Sequence, residues 1–215
     1  PSLEIYPLIQ AYYEQGQIAL RESRAQSYVS DASDAGYHII YLLEGAIKVF
    51  SLSYRGRRIL LDEVRAMAFS GHISRLRGHS FDASLVAQTD CVYLEFNDTV
   101  FLSLMEDPVF ALEFYRSTSR RTYYMYHKFL GLSLFTAEEN TAMYCITHPD
   151  RLTKCTLEQI SEEIGISRRS LCYIFKRWQE AGILCRRNGG YSVTGPDALH
   201  LLTQEIRSFY QNGQQ

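Results

Sequence analysis

Six cationic side chains, Arg168, Arg169, Lys176, Arg177, Arg186 and Arg187, fall within a twenty-residue stretch, and Tyr173 stands among them. A guanidinium group offers paired donors that match guanine O6 and N7, while ammonium, hydroxyl and amide groups hold phosphates and set register. The chemistry suggested is recognition of double-stranded DNA, with the hydroxyls of Thr156, Ser167 and Ser170 placed to assist at phosphates. The chain's total charge is only −2, which alone argues against a nucleic-acid partner; its distribution argues the other way. Residues 151–190 hold eight cations against four carboxylates, a net +4, so residues 1–150 are acidic. A basic reading half and an acidic sensor half are expected.

Other reactive groups are sparser. His72 and His79 flank Arg75 and Arg77 on what reads as one loop, where an anion or a metal could bind and where solvated side chains are the plain alternative. Tyr123, Tyr124 and Tyr126 could line a pocket for an aromatic or fatty ligand, or simply pack against neighbouring structure. Five cysteines, Cys91, Cys145, Cys155, Cys172 and Cys185, include no CxxC pair and are odd in number, against both a zinc knuckle and a disulfide framework. Reduced, buried thiols are expected, including Cys172, whose apolar neighbours argue for burial; a redox-responsive thiol there is the alternative. With no HxH pair, H-E-x-x-H, G-x-S-x-G or phosphate-cradling glycine loop, the sequence offers no enzyme machinery.

The elements that must position the cationic cluster can be read from spacing. Thr156 and Gln159 form a T-x-x-Q capping box, and the helix it starts turns Leu157, Ile160 and Ile164 inward. Gly165 ends that helix with the backbone freedom of a tight turn, and Ser167 caps the next, whose apolar face is Leu171, Ile174, Phe175 and Trp178. Two helices so joined make a helix-turn-helix, with small Ser161 at the crossing. The Arg186-Arg187-Asn188-Gly189-Gly190-Tyr191 stretch between β-prone ILC and YSV reads as a hairpin wing whose arginines touch the DNA backbone.

Upstream, the runs YHIIYLL, IKVFSLSY, RILLDEV and VYLEF between Tyr37 and Phe96 suggest a small antiparallel barrel or roll, with Glu44-Gly45 and Arg55-Gly56 as hairpin punctuation. Asp107-Pro108 is an N-cap followed by a first-position proline. From there Ala111, Tyr115, Thr118, Thr122, Met125 and Phe129 recur at three- and four-residue steps along a helix of about 23 residues ended by Gly131. The stripe either faces its own core or is the seam of a parallel helix pair joining two protomers. A further helix over about 136–146 leads to His148-Pro149-Asp150.

The order roll, long helix, short helix, helix-turn-helix and wing resembles the cyclic-AMP receptor protein and fumarate-nitrate reductase regulator family over nearly the whole chain. The matching stretches are LLEGAIKVF with Gly45, GHISRL beginning at Gly71, the DP-led helix bearing Arg120-Arg121, and the helix-turn-helix. The resemblance implies a homodimer on a roughly palindromic operator, RNA polymerase as a partner if the protein activates, and an effector in the roll near Gly71, His72, Arg75, Arg77, Phe81, Met125 and Tyr126. Departures narrow the effector. Where cyclic-nucleotide binders carry the ribose glutamate this chain has His72, Phe81 stands for the phosphate-gripping arginine, and Met125-Tyr126 replaces the purine-contacting Thr-Ser pair. A buried cyclic phosphate would lack its bidentate cation, so cyclic AMP is not expected. No cysteine precedes Cys91, which argues against an iron-sulfur cluster, and haem is not expected either. Of the family's Arg-Glu-Arg base readout, mapped to Arg168, Arg169 and Tyr173, only the first is retained, so a distinct operator is expected.

The expectation is an α+β chain: an N-terminal antiparallel β-roll (a cyclic-nucleotide-binding-like jelly roll) over 1–106, a long dimerisation helix over 107–135 and a C-terminal winged helix-turn-helix over 136–215. No apolar run is long enough to span a bilayer and the first residues do not read as a secretory signal, so a cytoplasmic regulator controlled by an unidentified effector is expected. The alternative is an effector-independent DNA-binding architectural protein or constitutive regulator.

Overall fold

The computed structural model describes residues 5–30, 38–53, 58–77, 83–187 and 189–212. The chain forms two compact units, residues 1–125 and 126–215. In chain order the elements of the first are α1 (Tyr6–Glu14), β1 (Ile18–Ser23), β2 (Tyr28–Ser30), β3 (Ile39–Glu44), β4 (Ala46–Leu52), β5 (Arg58–Arg65), β6 (Ala68–Ser70), α2 (His72–Arg77), β7 (Ala83–Ala87), β8 (Cys91–Phe96), α3 (Asp98–Met105) and the start of α4 (Pro108–Leu134). The second unit contains the end of α4, then α5 (Ala137–Thr147), α6 (Arg151–Lys154), α7 (Leu157–Ile164), α8 (Arg168–Glu180), β9 (Leu184–Arg187), β10 (Gly190–Val193), α9 (Pro196–Leu202) and α10 (Gln204–Asn212).

The expected antiparallel roll is present as two four-stranded sheets, in the orders β1-β8-β3-β6 and β2-β7-β4-β5. Strand alternation explains why YHIIYLL is apolar on both faces. Ile40 and Leu42 of β3 join Ile47, Val49, Val64 and Leu85 in the core shared by the two sheets. Ile39 and Tyr41, one residue out of phase, point the other way and are covered by Ile9 of α1, Phe101 and Leu104 of α3, and Phe110 and Phe114 of α4. Phe69 sits at the middle of that outer cluster, its ring 4.7 Å from Tyr41 and 5.2 Å from Phe114.

The Glu44-Gly45 turn is not the hairpin expected from sequence, because β3 and β4 belong to different sheets. It is a corner where the chain changes sheet, and Gly45 has φ +90° with a Cβ position only 2.3 Å from the Asp90 carbonyl oxygen. The Arg55-Gly56 turn lies outside the described residues, although the strands on either side of it, β4 and β5, do pair antiparallel. Residues 72–77, read as loop, form the short helix α2.

Asp107 caps α4 as expected, its Oδ1 accepting from the N–H groups of Val109 (2.8 Å) and Phe110 (3.2 Å). The helix runs 27 residues and does not stop at Gly131. The Asn140 amide ties its end to the following helix, donating to Phe135 O at 3.2 Å and to Gly131 O at 3.1 Å, a carbonyl that Phe135 N–H also reaches at 3.1 Å. The next helix opens with a second capping box, Thr136 with Glu139.

Gly71 closes β6 onto α2 with φ +80°, and a Cβ there would lie 1.9 Å from the His38 carbonyl oxygen. Gly71→Ala is expected to cost about 2–3 kcal/mol through the left-handed backbone and the clash together. Urea unfolding followed on the roll should show it, whereas Gly16→Ala, where the same left-handed backbone meets open space, should cost less.

Candidate nucleic-acid interface

Helix α7 starts from the expected capping box, with Gln159 N–H donating to Thr156 Oγ1 (3.2 Å) and Thr156 N–H donating to Gln159 Oε1 (2.9 Å). It ends at Gly165, in the left-handed region at φ +91°, where a Cβ would press within 3.0 Å of Leu132 Cδ1. Ile160 and Ile164 are buried in one cluster with Leu171, Ile174, Phe175 and Trp178 of α8, and Ser161 is buried as well. Ser167 caps α8 by accepting from Ser170 N–H at 3.0 Å, and the two serine hydroxyls bond each other at 2.7 Å.

Within α8, Leu171, Ile174, Phe175 and Trp178 are buried, and Arg168, Arg169, Cys172, Tyr173, Lys176 and Arg177 are exposed. The exposed thiol corrects the expectation that Cys172 is buried. It lies one turn after Arg168 and one before Lys176, so helical periodicity places it on the cationic face despite its apolar neighbours in sequence. Cys91 and Cys145 do match the buried reading, and burial pushes the Cys145 thiol up to about 12.

Ion pairs distribute the cations unequally. Arg168 Nε lies 3.5 Å from Glu158 Oε2, but both side chains are more than half exposed and the pair is easily exchanged for another acceptor. Arg177 is drawn to the flank of α8, 3.4 Å from Glu138 Oε2 and 5.8 Å from the Tyr173 ring centroid. The same carboxylate accepts from the buried Trp178 indole N–H at 2.9 Å. Lys176 reaches Glu180 at 3.9 Å. Arg151, counted in sequence among the basic residues of this unit, is half-buried and bonded to Glu163, which also accepts from Tyr144 O–H at 2.5 Å. Burial and the bond to Glu163 push the Tyr144 phenol well above its ordinary value, so it remains a donor. Sequence reasoning missed Glu138 and Glu163. A buried tryptophan N–H signals that some acceptor must exist, but nothing in the spacing says which carboxylate.

The wing is a two-stranded antiparallel ladder in which Arg186 pairs with Tyr191 and Arg187 with Gly190. Both arginines are exposed; Asn188 lies outside the described residues. Tyr191 packs edge-on to Phe175 at 4.8 Å, which fixes the wing to α8. Gly190 is pressed onto α6, its Cβ position 2.6 Å from Leu152 O.

In the roll, the structure brings Gly71, His72 and Met125 together around a cavity of about 50 Å³ that also touches Asp62, Ser70 and Arg121. Arg121 donates from Nε to Asp62 Oδ2 at 2.7 Å and from Nη1 to the Phe69 carbonyl. Arg75 is not part of this cavity but is paired with Asp98; Arg77 and Tyr126 are exposed. Phe81 and His79 lie outside the described residues. Among the described residues no three His, Cys, Asp or Glu side chains gather as metal ligands. His72 Nδ1 is buried without a hydrogen-bond partner, and the ring stands edge-on to Phe114 at 5.5 Å.

Burial, reinforced by the Arg121 charge and opposed by Asp62, lowers the His72 pKa from 6.5 to about 4. The unfolded chain therefore takes up a proton below pH 6.5 that the folded roll refuses. Stability is fully present above pH 6.5 and falls as pH drops toward 4, by up to about 1.4 kcal/mol per pH unit from this residue. His72→Phe, which removes an unpaired polar atom and keeps the ring contact, is expected to flatten that decline in urea titrations between pH 6.5 and 5. An unchanged slope would show that His72 does not titrate this way.

Residues 20–107 match the family model of the cyclic nucleotide-binding domain. No curated protein is significantly similar in sequence to the chain. Among solved structures, a putative CRP/FNR-family transcriptional regulator from Eubacterium rectale is similar at TM-score 0.74 and 15% identity, covering 94% of this chain and 100% of its own. CLP, the c-di-GMP-responsive global regulator of Xanthomonas campestris, is similar at TM-score 0.70 and 14% identity, covering 87% and 99%. A CRP-family transcriptional regulator from Thermus thermophilus is similar at TM-score 0.67 and 16% identity, covering 86% and 97%. With a cyclic nucleotide-binding-type roll, a 27-residue helix and a winged helix-turn-helix in this order, the chain has the fold of the CRP/FNR transcription regulators.

Proposed function

We propose that this chain is a sequence-specific DNA-binding transcription regulator, acting in the cytoplasm as a homodimer on a palindromic operator, with the roll as its effector-sensing part. The observation that carries the reading is the division of α8 into a buried apolar side and an exposed side bearing Arg168, Arg169, Tyr173 and Lys176. On this reading Arg168 leaves Glu158 for a guanine edge, Arg169 and Lys176 meet DNA beside it, and Arg186 and Arg187 hold the backbone from the wing.

The homodimer is supported by α4. Leu112, Tyr115, Tyr126 and Phe129 are all exposed, which is costly for a helix with nothing against it. Their spacing, with Ser119 and Thr122 between, is the alternating three-and-four pattern of a helix-pair seam. Of the residues expected in such a seam, Tyr115, Thr122 and Phe129 lie on this stripe. Ala111 and Thr118 are half-buried, the Thr118 hydroxyl bonding Phe114 O at 2.8 Å, and Met125 lines the roll cavity. The seam we propose is therefore Leu112, Tyr115, Ser119, Thr122, Tyr126 and Phe129.

Cyclic AMP is not the effector we propose. A cavity of about 50 Å³ has room for a water or two, and the arginine that lines it among the described residues, Arg121, is already bonded to Asp62. The same closure favours a second reading, a constitutive regulator whose roll serves only for assembly.

Arg168→Ala is expected to lose about tenfold or more in preference for the cognate duplex over a shuffled one, and Arg187→Ala to weaken both equally and lower the salt dependence by about one phosphate contact. Fluorescence anisotropy at several salt concentrations reads both; retained preference in Arg168→Ala would remove it from base readout. Tyr115→Glu with Phe129→Glu, on exposed positions, should give a folded monomer by sedimentation, and a dimer persisting in that variant would reject the proposed seam.

A further inference from the structure

A larger cavity lies on the opposite side of the first sheet from the shared core, under α1. Its volume is about 220 Å³, and its walls include Tyr6, Ile9 and Tyr13 of α1, Leu20 of β1, Leu43 of β3, and Met67 from the turn between β5 and β6. We propose that this cavity binds a small neutral aromatic molecule of one or two fused rings. The proposal deepens the reading of the roll as sensor and rests on it for its regulatory meaning, although the binding itself does not.

Three observations carry it. The first is size: an apolar cavity of about 150 Å³ holds a benzene ring, so 220 Å³ fits a single substituted ring or a fused pair and is short for a long acyl chain. The second is the lining. Among the described residues no charged side chain faces the cavity, and Gln10 and the phenols are its only polar side chains, so a carboxylate or phosphate would be desolvated there without a counter-ion. Tyrosine rings give an aromatic guest edge and face contacts that an aliphatic one cannot use. The third is the mouth. Of the lining residues, Tyr6, Tyr13, Leu20 and Met67 are 62%, 45%, 45% and 42% exposed, so bulky apolar surface at the cavity remains in contact with water. Met67 is held there at φ +68°, a left-handed backbone that a non-glycine residue rarely adopts, by its N–H bond to Leu42 O at 2.7 Å. Strained residues of this kind gather at ligand clamps, where the surrounding structure enforces them.

The test uses the full-length protein labelled with carbon-13 at its methionine methyls, four in the chain, titrated with naphthol as probe. Saturable binding with a dissociation constant of about 10–100 μM is expected, with the Met67 methyl resonance moving in proportion to occupancy. Leu20→Trp, at a half-exposed position, should fill the mouth and weaken binding about tenfold or more. Naphthoate, of the same shape but charged, should bind about tenfold more weakly for want of a cation. Met67→Gly, which relieves the left-handed backbone and removes the side chain, should also bind more weakly while folding at least as stably. Absence of saturable binding, binding indifferent to Leu20→Trp, or naphthoate and decanoate binding as tightly as naphthol would each overturn the proposal. Because DNA is absent from the assay, a failure here leaves the DNA-binding reading standing, and failure of DNA binding leaves this result unaffected.

Discussion

Burial of the apolar side of α8 is the constraint on which the second unit depends. Leu171, Ile174, Phe175 and Trp178 occupy one stripe of the helix, and removing four large side chains from water contributes roughly 1.5–3 kcal/mol each. Once that stripe is committed, the 3.6-residue period leaves Arg168, Arg169, Cys172, Tyr173 and Lys176 no alternative to the outer face. Trp178 brings a polar demand into the core, and Glu138 meets it, at the same time drawing Arg177 away from the outer face. The wing follows from the same packing, because Tyr191 rests on Phe175 and Gly190 on Leu152. Core and candidate reading surface are thus two sides of one helix.

The first unit has a comparable centre in Arg121. Its guanidinium is largely buried, and it satisfies Asp62 and the Phe69 carbonyl together. Removing either partner would strand a charge inside the roll, which is strongly destabilising. Burial holds His72 neutral beside this pair, with Arg121 reinforcing the effect and Asp62 opposing it. A cavity organised in this way stabilises the roll more readily than it admits an anion. The apolar space under α1, by contrast, is lined by side chains that lose nothing on contact with a neutral guest.

Much of this was legible in the residues. Caps such as Thr156 with Gln159, Ser167 and Asp107 act through neighbours three or fewer positions away, so their geometry follows from sequence order alone. The apolar stripe of α8 was equally plain because helical period depends only on spacing. What escaped depends on long-range contact. Gly131 does not end α4: Phe135 N–H still bonds its carbonyl at 3.1 Å, and Asn140 of the following helix adds a second, long-range bond to it. The Glu44-Gly45 corner passes between sheets, a fact of strand pairing that no local turn signal contains. Arg151 lies in the basic run but is consumed by Glu163, and Arg75 by Asp98, so a count of cations overstates the charge free to meet a partner. Cys172 shares its face with Arg168 and Lys176, one helical turn away on either side, and not with its sequence neighbour Leu171, which is buried.

The central claim is that the exposed face of α8, presented twice by a dimer, selects particular DNA sequences. Selection of bound duplexes from a random pool by the purified chain, repeated at two salt concentrations, tests it most directly. Enrichment of a palindrome whose half-sites lie about one helical turn apart is expected, with sequence preference surviving at the higher salt. Enrichment of nothing, with binding that simply fades as salt rises, would contradict it.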